Sequence, residues 1–156
     1  MRKLIILALL AGSFAHAQNL LTERIWKISD RKRSIFFDQG VFHSDLKPQP
    51  KTLLSIRNSY QPSKGYERIV FDFSTNQPPK VYGHISKKDK KIRLDFFNTG
   101  LEKSLGSVSN VKYVKNLDFF NIDKDKLSVE LSFKENVSFD IFYLENPGRL
   151  VIDAKK

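Results

Sequence analysis

The sequence predicts an all-β domain: an antiparallel β-sandwich or small barrel of short strands, preceded by an irregular N-terminal extension. Three observations carry this expectation. Apolar and polar residues alternate with a period of two in segment after segment, most clearly in Leu127-Ser128-Val129-Glu130-Leu131-Ser132-Phe133. Turn-forming clusters recur at close spacing, among them Gln61-Pro62-Ser63-Lys64-Gly65 and Asn146-Pro147-Gly148. No stretch sustains a helical period. The length of 156 residues suits one domain, and a 40% hydrophobic share with 13 Phe makes its core aromatic-rich.

The elements follow in order. Arg2 and Lys3, the apolar run Leu4 to Ala11 and the small residues around Ala15 and Ala17 form the pattern of a secretory signal over residues 1–17. Cleavage between Ala17 and Gln18 removes two basic residues and leaves 25 Lys+Arg against 17 Asp+Glu, a charge of +8 instead of +10. The apolar run is shorter than the roughly 20 residues a bilayer demands, so the product is expected to be exported, soluble and not membrane-spanning. Residues 18–51 read as the extension. Ile25, Trp26 and Ile28 sit among charges, Ser34–Asp38 suggests one short strand, and Lys47-Pro48-Gln49-Pro50-Lys51 is a connector. Strands are expected over Thr52–Arg57 and Tyr66–Ser74, where Ile69, Phe71 and Phe73 share a face. Val81–Ser86 and Ile92–Phe97 flank a charged hairpin tip, Lys87-Lys88-Asp89-Lys90-Lys91. Asn98-Thr99-Gly100 ends that strand, and Leu101–Asn110 reads as a polar loop or a single helical turn. Val111–Phe120, Leu127–Phe133, Val137–Tyr143 and Arg149–Asp153 complete the set.

Composition excludes much chemistry. The absence of Cys removes disulfides, a thiol nucleophile, Cys-ligated zinc and a lipoprotein anchor. Only His16, His43 and His84 are present, and His16 lies in the signal, so a multi-His catalytic metal site is not expected. No G-x-S-x-G elbow and no phosphate-binding Gly loop occurs. Asp72, Asp95 and Asp153 sit on strands with outward spacing, which is a poor match to the convergent carboxylates of a glycosidase. The expectation is a binding module without cofactor or metal and without catalysis.

The segment Leu144-Glu145-Asn146-Pro147-Gly148-Arg149-Leu150-Val151-Ile152-Asp153 resembles the closing motif of the AMIN domain family. Tyr66-Glu67-Arg68-Ile69-Val70-Phe71-Asp72-Phe73-Ser74 resembles that family's early strand, and Leu54-Ser55-Ile56-Arg57 its first. The resemblance covers residues 52–156. It implies a periplasmic β-sandwich that binds peptidoglycan, and that positions N-acetylmuramoyl-L-alanine amidases or type IV pilus secretins at the wall without catalysing anything itself. No amidase or secretin region follows the motif up to Lys156, so a wall hydrolase or a pilus/secretion component is expected as a separate partner. A periplasmic protein–protein adaptor without glycan affinity is the alternative, and the protein could also leave the cell.

Candidate ligand contacts fall into three groups. Arg68 and Arg149 precede the motif strands, and Asp72 and Asp153 end them. The two Arg forks suit either a stem-peptide carboxylate or cross-strand pairing with those Asp residues. Lys87, Lys88, Lys90 and Lys91, with Arg31-Lys32-Arg33, either attract an anionic envelope polymer or act as solvated charges that guard sheet edges. Tyr66, Tyr82, Tyr113 and Tyr143 are candidate exposed platforms for sugar rings, whereas most Phe belong to the core. Lys112, Lys115 and Trp26 interleave with such aromatics, and His84 reads as a packing residue. The same aromatic–basic mixture suits nucleic acid, but export makes nucleic acid a poor partner.

Overall fold

The computed structural model describes residues 24–30, 34–108 and 112–156. The expected signal with its Ala17/Gln18 cleavage point, the Arg31-Lys32-Arg33 cluster and the expected strand start at Val111 all lie outside the described residues.

Eleven strands and no helix are present among the described residues. They are β1 (Ile25–Lys27), β2 (Gly40–His43), β3 (Lys51–Gln61), β4 (Tyr66–Phe73), β5 (Val81–Ser86), β6 (Lys91–Phe97), β7 (Thr99–Leu101), β8 (Val114–Asp123), β9 (Lys126–Phe133), β10 (Ser138–Leu144) and β11 (Arg149–Lys155). One sheet has the order β1-β2-β5-β6-β9-β8 and the other β10-β11-β4-β3-β7. The fold class read from the alternation is therefore the one observed, an all-β sandwich-like pair of sheets.

The alternation explains the packing. Ile92, Leu94 and Phe96 of β6 and Leu127, Val129, Leu131 and Phe133 of β9 face inward from the first sheet. Ile69, Phe71 and Phe73 of β4 and Leu150 and Ile152 of β11 meet them from the second. Phe96 packs between Phe71 and Phe73, with ring centroids 5.7 and 5.4 Å away, and Phe133 lies 4.9 Å from Phe139. Burying each such ring contributes roughly 1.5–3 kcal/mol.

Two features depart from the expectation. The pairing is not wholly antiparallel: β1 runs parallel to β2, and β7 parallel to β3. Both exceptions are three-residue strands at sheet edges. The other concerns the extension, whose described residues contribute two short strands, β1 and β2, to the larger sheet. Between β1 and β2, Asp30 bridges to Tyr143 and Phe37 to Phe139, both on the edge strand β10. A parallel return requires about a dozen residues of crossover, which residues 28–39 provide. Phe37 stacks on Trp26 at 4.8 Å and meets Phe42 edge-on at 6.2 Å, so this excursion ties the two sheets together. The strand expected over Ser34–Asp38 is only the bridge at Phe37, and the true strand follows it. Phe42 is fully buried and lies opposite Gly83, where a Cβ would overlap its ring. No described helix is long and apolar enough to cross a membrane.

The crossover from β7 to β8 is held by a carboxylate. Glu67, fully buried on β4, accepts hydrogen bonds from the backbone N–H of Tyr113 at 2.5 Å and of Val114 at 3.0 Å, and from Asn58 Nδ2 at 2.6 Å. Removing the acceptor strands buried donors, each costing about 1–3 kcal/mol. Glu67→Leu should therefore lower unfolding free energy by about 3 kcal/mol and Glu67→Gln by about 1 kcal/mol. Hydrogen exchange should accelerate at the Tyr113 and Val114 amides, and unchanged exchange there would refute the assignment.

Candidate functional site

The sequence-selected residues are dispersed. Arg68 lies directly opposite Asp153 and grips it with a bidentate fork, Nε–Oδ1 2.7 Å and an Nη–Oδ2 contact of 2.8 Å. Asp153 is fully buried beneath it, so the geometry is the cross-strand pair. Arg149 lies opposite Asp72, yet Arg57 takes that carboxylate through bonds of 2.8 and 2.9 Å, and Ser55 Oγ adds a third of 2.7 Å. Arg149 instead donates to the Pro147 carbonyl at 3.3 Å. Arg57 went unrecognised because β3 and β11 flank β4 on opposite sides, and sequence does not say which neighbour's Arg reaches a shared Asp.

Two of the tyrosine platforms are corrected. Tyr66 is only 7% exposed, because the Arg68 guanidinium covers its ring with 5.1 Å to the centroid. Tyr113 is 5% exposed and packs edge-on against Tyr60 at 6.1 Å. Tyr143 is half-buried, and Trp26 is stacked within the extension. Tyr82 stands out at 45% exposure.

The lysine tip is partly neutralised. Lys87 bonds Asp38 at 2.5 Å, and Lys91 bonds Glu130 at 2.6 Å. Lys88 and Lys90 remain exposed in the turn, where Lys90 takes φ +53°. Asp72, Asp95 and Asp153 do not converge. Asp95 is on the first sheet, the other two are on the second, and each has a cation beside it. Among the described residues no three His, Asp or Glu side chains gather as a metal site.

A different surface does gather chemistry: the outer face of the six-stranded sheet. The registers place His43, Tyr82, Asp95, Ser128 and Phe120 in one row across β2, β5, β6, β9 and β8. The next row reads Val41, His84, Arg93, Glu130 and Asp118. Phe97 opposes Lys126 in a third, with Ile122 inserted on β8. Phe120 is 48% and Ile122 57% exposed. A cavity of about 360 Å³ lies here, lined by Arg93, Asp95, Phe120, Ile122, Lys126 and Ser128. Tyr82 and Phe120 are three strand spacings apart, about 14 Å. Charge is balanced across the face: Lys126 pairs with Asp95 at 3.3 Å, and Arg93 with Glu130 at 3.0 Å. Lys126 also lies over the Phe97 ring at 5.6 Å.

Of this face, sequence reasoning singled out Tyr82, Lys91, His84 and Asp95. It passed over Phe120 and Ile122, although a signal existed. In Leu117-Asp118-Phe119-Phe120-Asn121-Ile122 two adjacent Phe must point to opposite faces, so one of them faces outward.

Two predictions follow from the charge pairs. Arg68→Met leaves Asp153 buried without its guanidinium and should cost about 3 kcal/mol in denaturant unfolding; a change near zero would show the pair to be dispensable. The second concerns acid. At Asp72, burial alone would raise the carboxyl, but the Arg57 and Ser55 hydrogen bonds outweigh it and hold it below 3.8. The Lys91 hydrogen bond, against burial and with help from Arg93, holds Glu130 below 4.5. Carboxyls lowered on folding stabilise fully above those values, and the contribution disappears as pH falls through the folded-state values. Unfolding free energy should therefore decline below about pH 4, and Asp72→Asn with Glu130→Gln should flatten the decline.

No protein-family model matches the chain, and no curated protein matches it in sequence.

Proposed function

We propose that the chain is an exported, non-catalytic AMIN-like module that binds peptidoglycan or another envelope glycan. It would serve a wall hydrolase or a pilus/secretion component in the periplasm. The observation that carries this reading is the outer face of the six-stranded sheet. Tyr82 and Phe120 expose ring surface on either side of Asp95 and Ser128, and Ile122 joins Phe120, Arg93, Asp95, Lys126 and Ser128 in lining a cavity. Sugar rings present apolar faces that suit aromatic surface, and hydroxyls that suit fixed ionic side chains, in the usual mixture of a binding cleft. The signal pattern of residues 1–17 supports export. Because the cations of the face are matched by carboxylates, recognition rests on stacking and hydrogen bonding. The anion attraction expected of the Lys87–Lys91 tip contributes approach, not specificity. The adaptor alternative draws on Phe120 and Ile122, whose exposed apolar surface also suits a protein partner.

Co-sedimentation of the protein with purified sacculi across a salt series tests the proposal. Groove binding should persist at about 1 M salt, where charges are screened within about 3 Å. Tyr82→Ala and Phe120→Ala should each weaken pelleting about five- to tenfold. No pelleting even at low salt rejects glycan binding in favour of the adaptor. Pelleting abolished by modest salt and indifferent to both substitutions assigns it to charge alone.

A further inference from the structure

β8 is the outermost strand of its sheet, and no described residue forms a ladder with its far edge. It is ten residues long, and the exposed Phe120 and Ile122 lie along it. A long open edge offers unpaired backbone groups to another strand. Register shifts between Val114/Asn116 and Asn121/Asp123 interrupt both ends and leave a regular segment from Asn116 to Asn121. The strand carries Lys115 against Asp118 and Asp123, in a chain whose formal charge is +10. Two cationic copies therefore meet here with less repulsion than a face of average charge would give.

We propose that β8 pairs antiparallel with β8 of a second copy, about a two-fold axis at Phe119, which joins the two six-stranded sheets into one. Face and charge select this register. A two-fold perpendicular to the sheet keeps both outer faces on one side, so opposed residues share a face and the axis falls on a residue. An axis at Asp118 sets that carboxylate against its own copy, which is unfavourable. An axis at Phe120 sets apolar Leu117 against Asp123 and carries Lys115 past the end of the strand. An axis at Phe119 sets Asp118 opposite Phe120 within the regular segment and brings Lys115 and Asp123, which stand at the two register shifts, together on both sides. The two Phe120 rings are then diagonal neighbours on the outer face, within reach of each other. The two Phe119 rings meet on the inner face. The cavities beside Phe120 and Ile122 become one strip that continues across the axis, so each copy supplies a wall to the other's groove.

Sedimentation equilibrium of the purified protein without glycan, up to about 1 mM, tests this directly. A monomer–dimer equilibrium is expected. Lys115→Glu and Asp123→Lys should each weaken the dimer about tenfold, since each opposes like charges at two symmetric positions. The two combined in one chain should restore it, which no loss of folding could do. Asp123→Asn keeps an oxygen for the Asp125 N–H, which bonds Asp123 Oδ1 at 2.8 Å, and should weaken the dimer by a smaller factor. A chain that stays monomeric throughout overturns the proposal. So does a dimer indifferent to both single reversals, or one that the double reversal fails to restore. The readout contains no glycan, so its failure and a failure of sacculus binding are distinguishable.

Discussion

The position of β8 depends on the buried carboxylate of Glu67. The chain must leave the second sheet after β7 and enter the first as β8, and at that entry the N–H groups of Tyr113 and Val114 are taken by a side chain. Buried backbone donors must be satisfied somehow. A single Glu67 oxygen meets two of them, at Tyr113 and Val114, while the other takes Asn58. That fixes where β8 begins. It thereby fixes which of Phe119 and Phe120 faces out, and so where the groove lies. The opposite charge solves the mirror problem at the β4–β5 crossover. Lys51, buried at the start of β3, donates to the carbonyls of Gln77 and Pro78 at 3.1 and 2.9 Å. Burial pushes its ammonium pKa below the usual lysine value, and among the described residues no carboxylate pairs with it. A carboxylate collects orphan N–H groups, an ammonium collects orphan C=O groups, and together they position both transitions into the first sheet.

How much of this was legible depended on strand length. β9 and β4 are eight residues each, long enough for the period of two to declare which residues face inward. β1 and β2 are three and four residues, too short for any period, so the extension read as irregular. Nothing in Ile25-Trp26-Lys27 states that it will lie parallel to Gly40-Val41-Phe42-His43, because that pairing is set by the excursion along β10. Gly83 illustrates the same limit. Its lack of a side chain makes sense only once Phe42 is known to lie opposite, forty-one positions away in sequence.

The candidate site was legible only in fragments, for a related reason. Periodicity tells which face a residue takes but not what covers that face. Tyr66 and Tyr82 both point away from the core. Tyr66 lies beside Arg68, whose guanidinium is drawn over it by Asp153, whereas Tyr82 lies among Asp95, His43 and His84 and stays open. Long-range pairing, not residue type, decides which outward tyrosine is available.

Net charge and site chemistry occupy different places on the molecule, and this bears on how binding would work. Where the outer face presents cations it also presents carboxylates, in the pairs Lys126–Asp95 and Arg93–Glu130. The excess positive charge resides elsewhere, in exposed side chains such as Lys88 and Lys90. A distributed charge of this kind acts over about a Debye length and speeds encounter with an anionic polymer. It holds little once salt is present. A balanced groove with exposed rings does the reverse: it attracts nothing from a distance and retains what fits. On the proposed reading the arrangement would separate the rate of arrival from the duration of stay, and salt should slow capture far more than it hastens release.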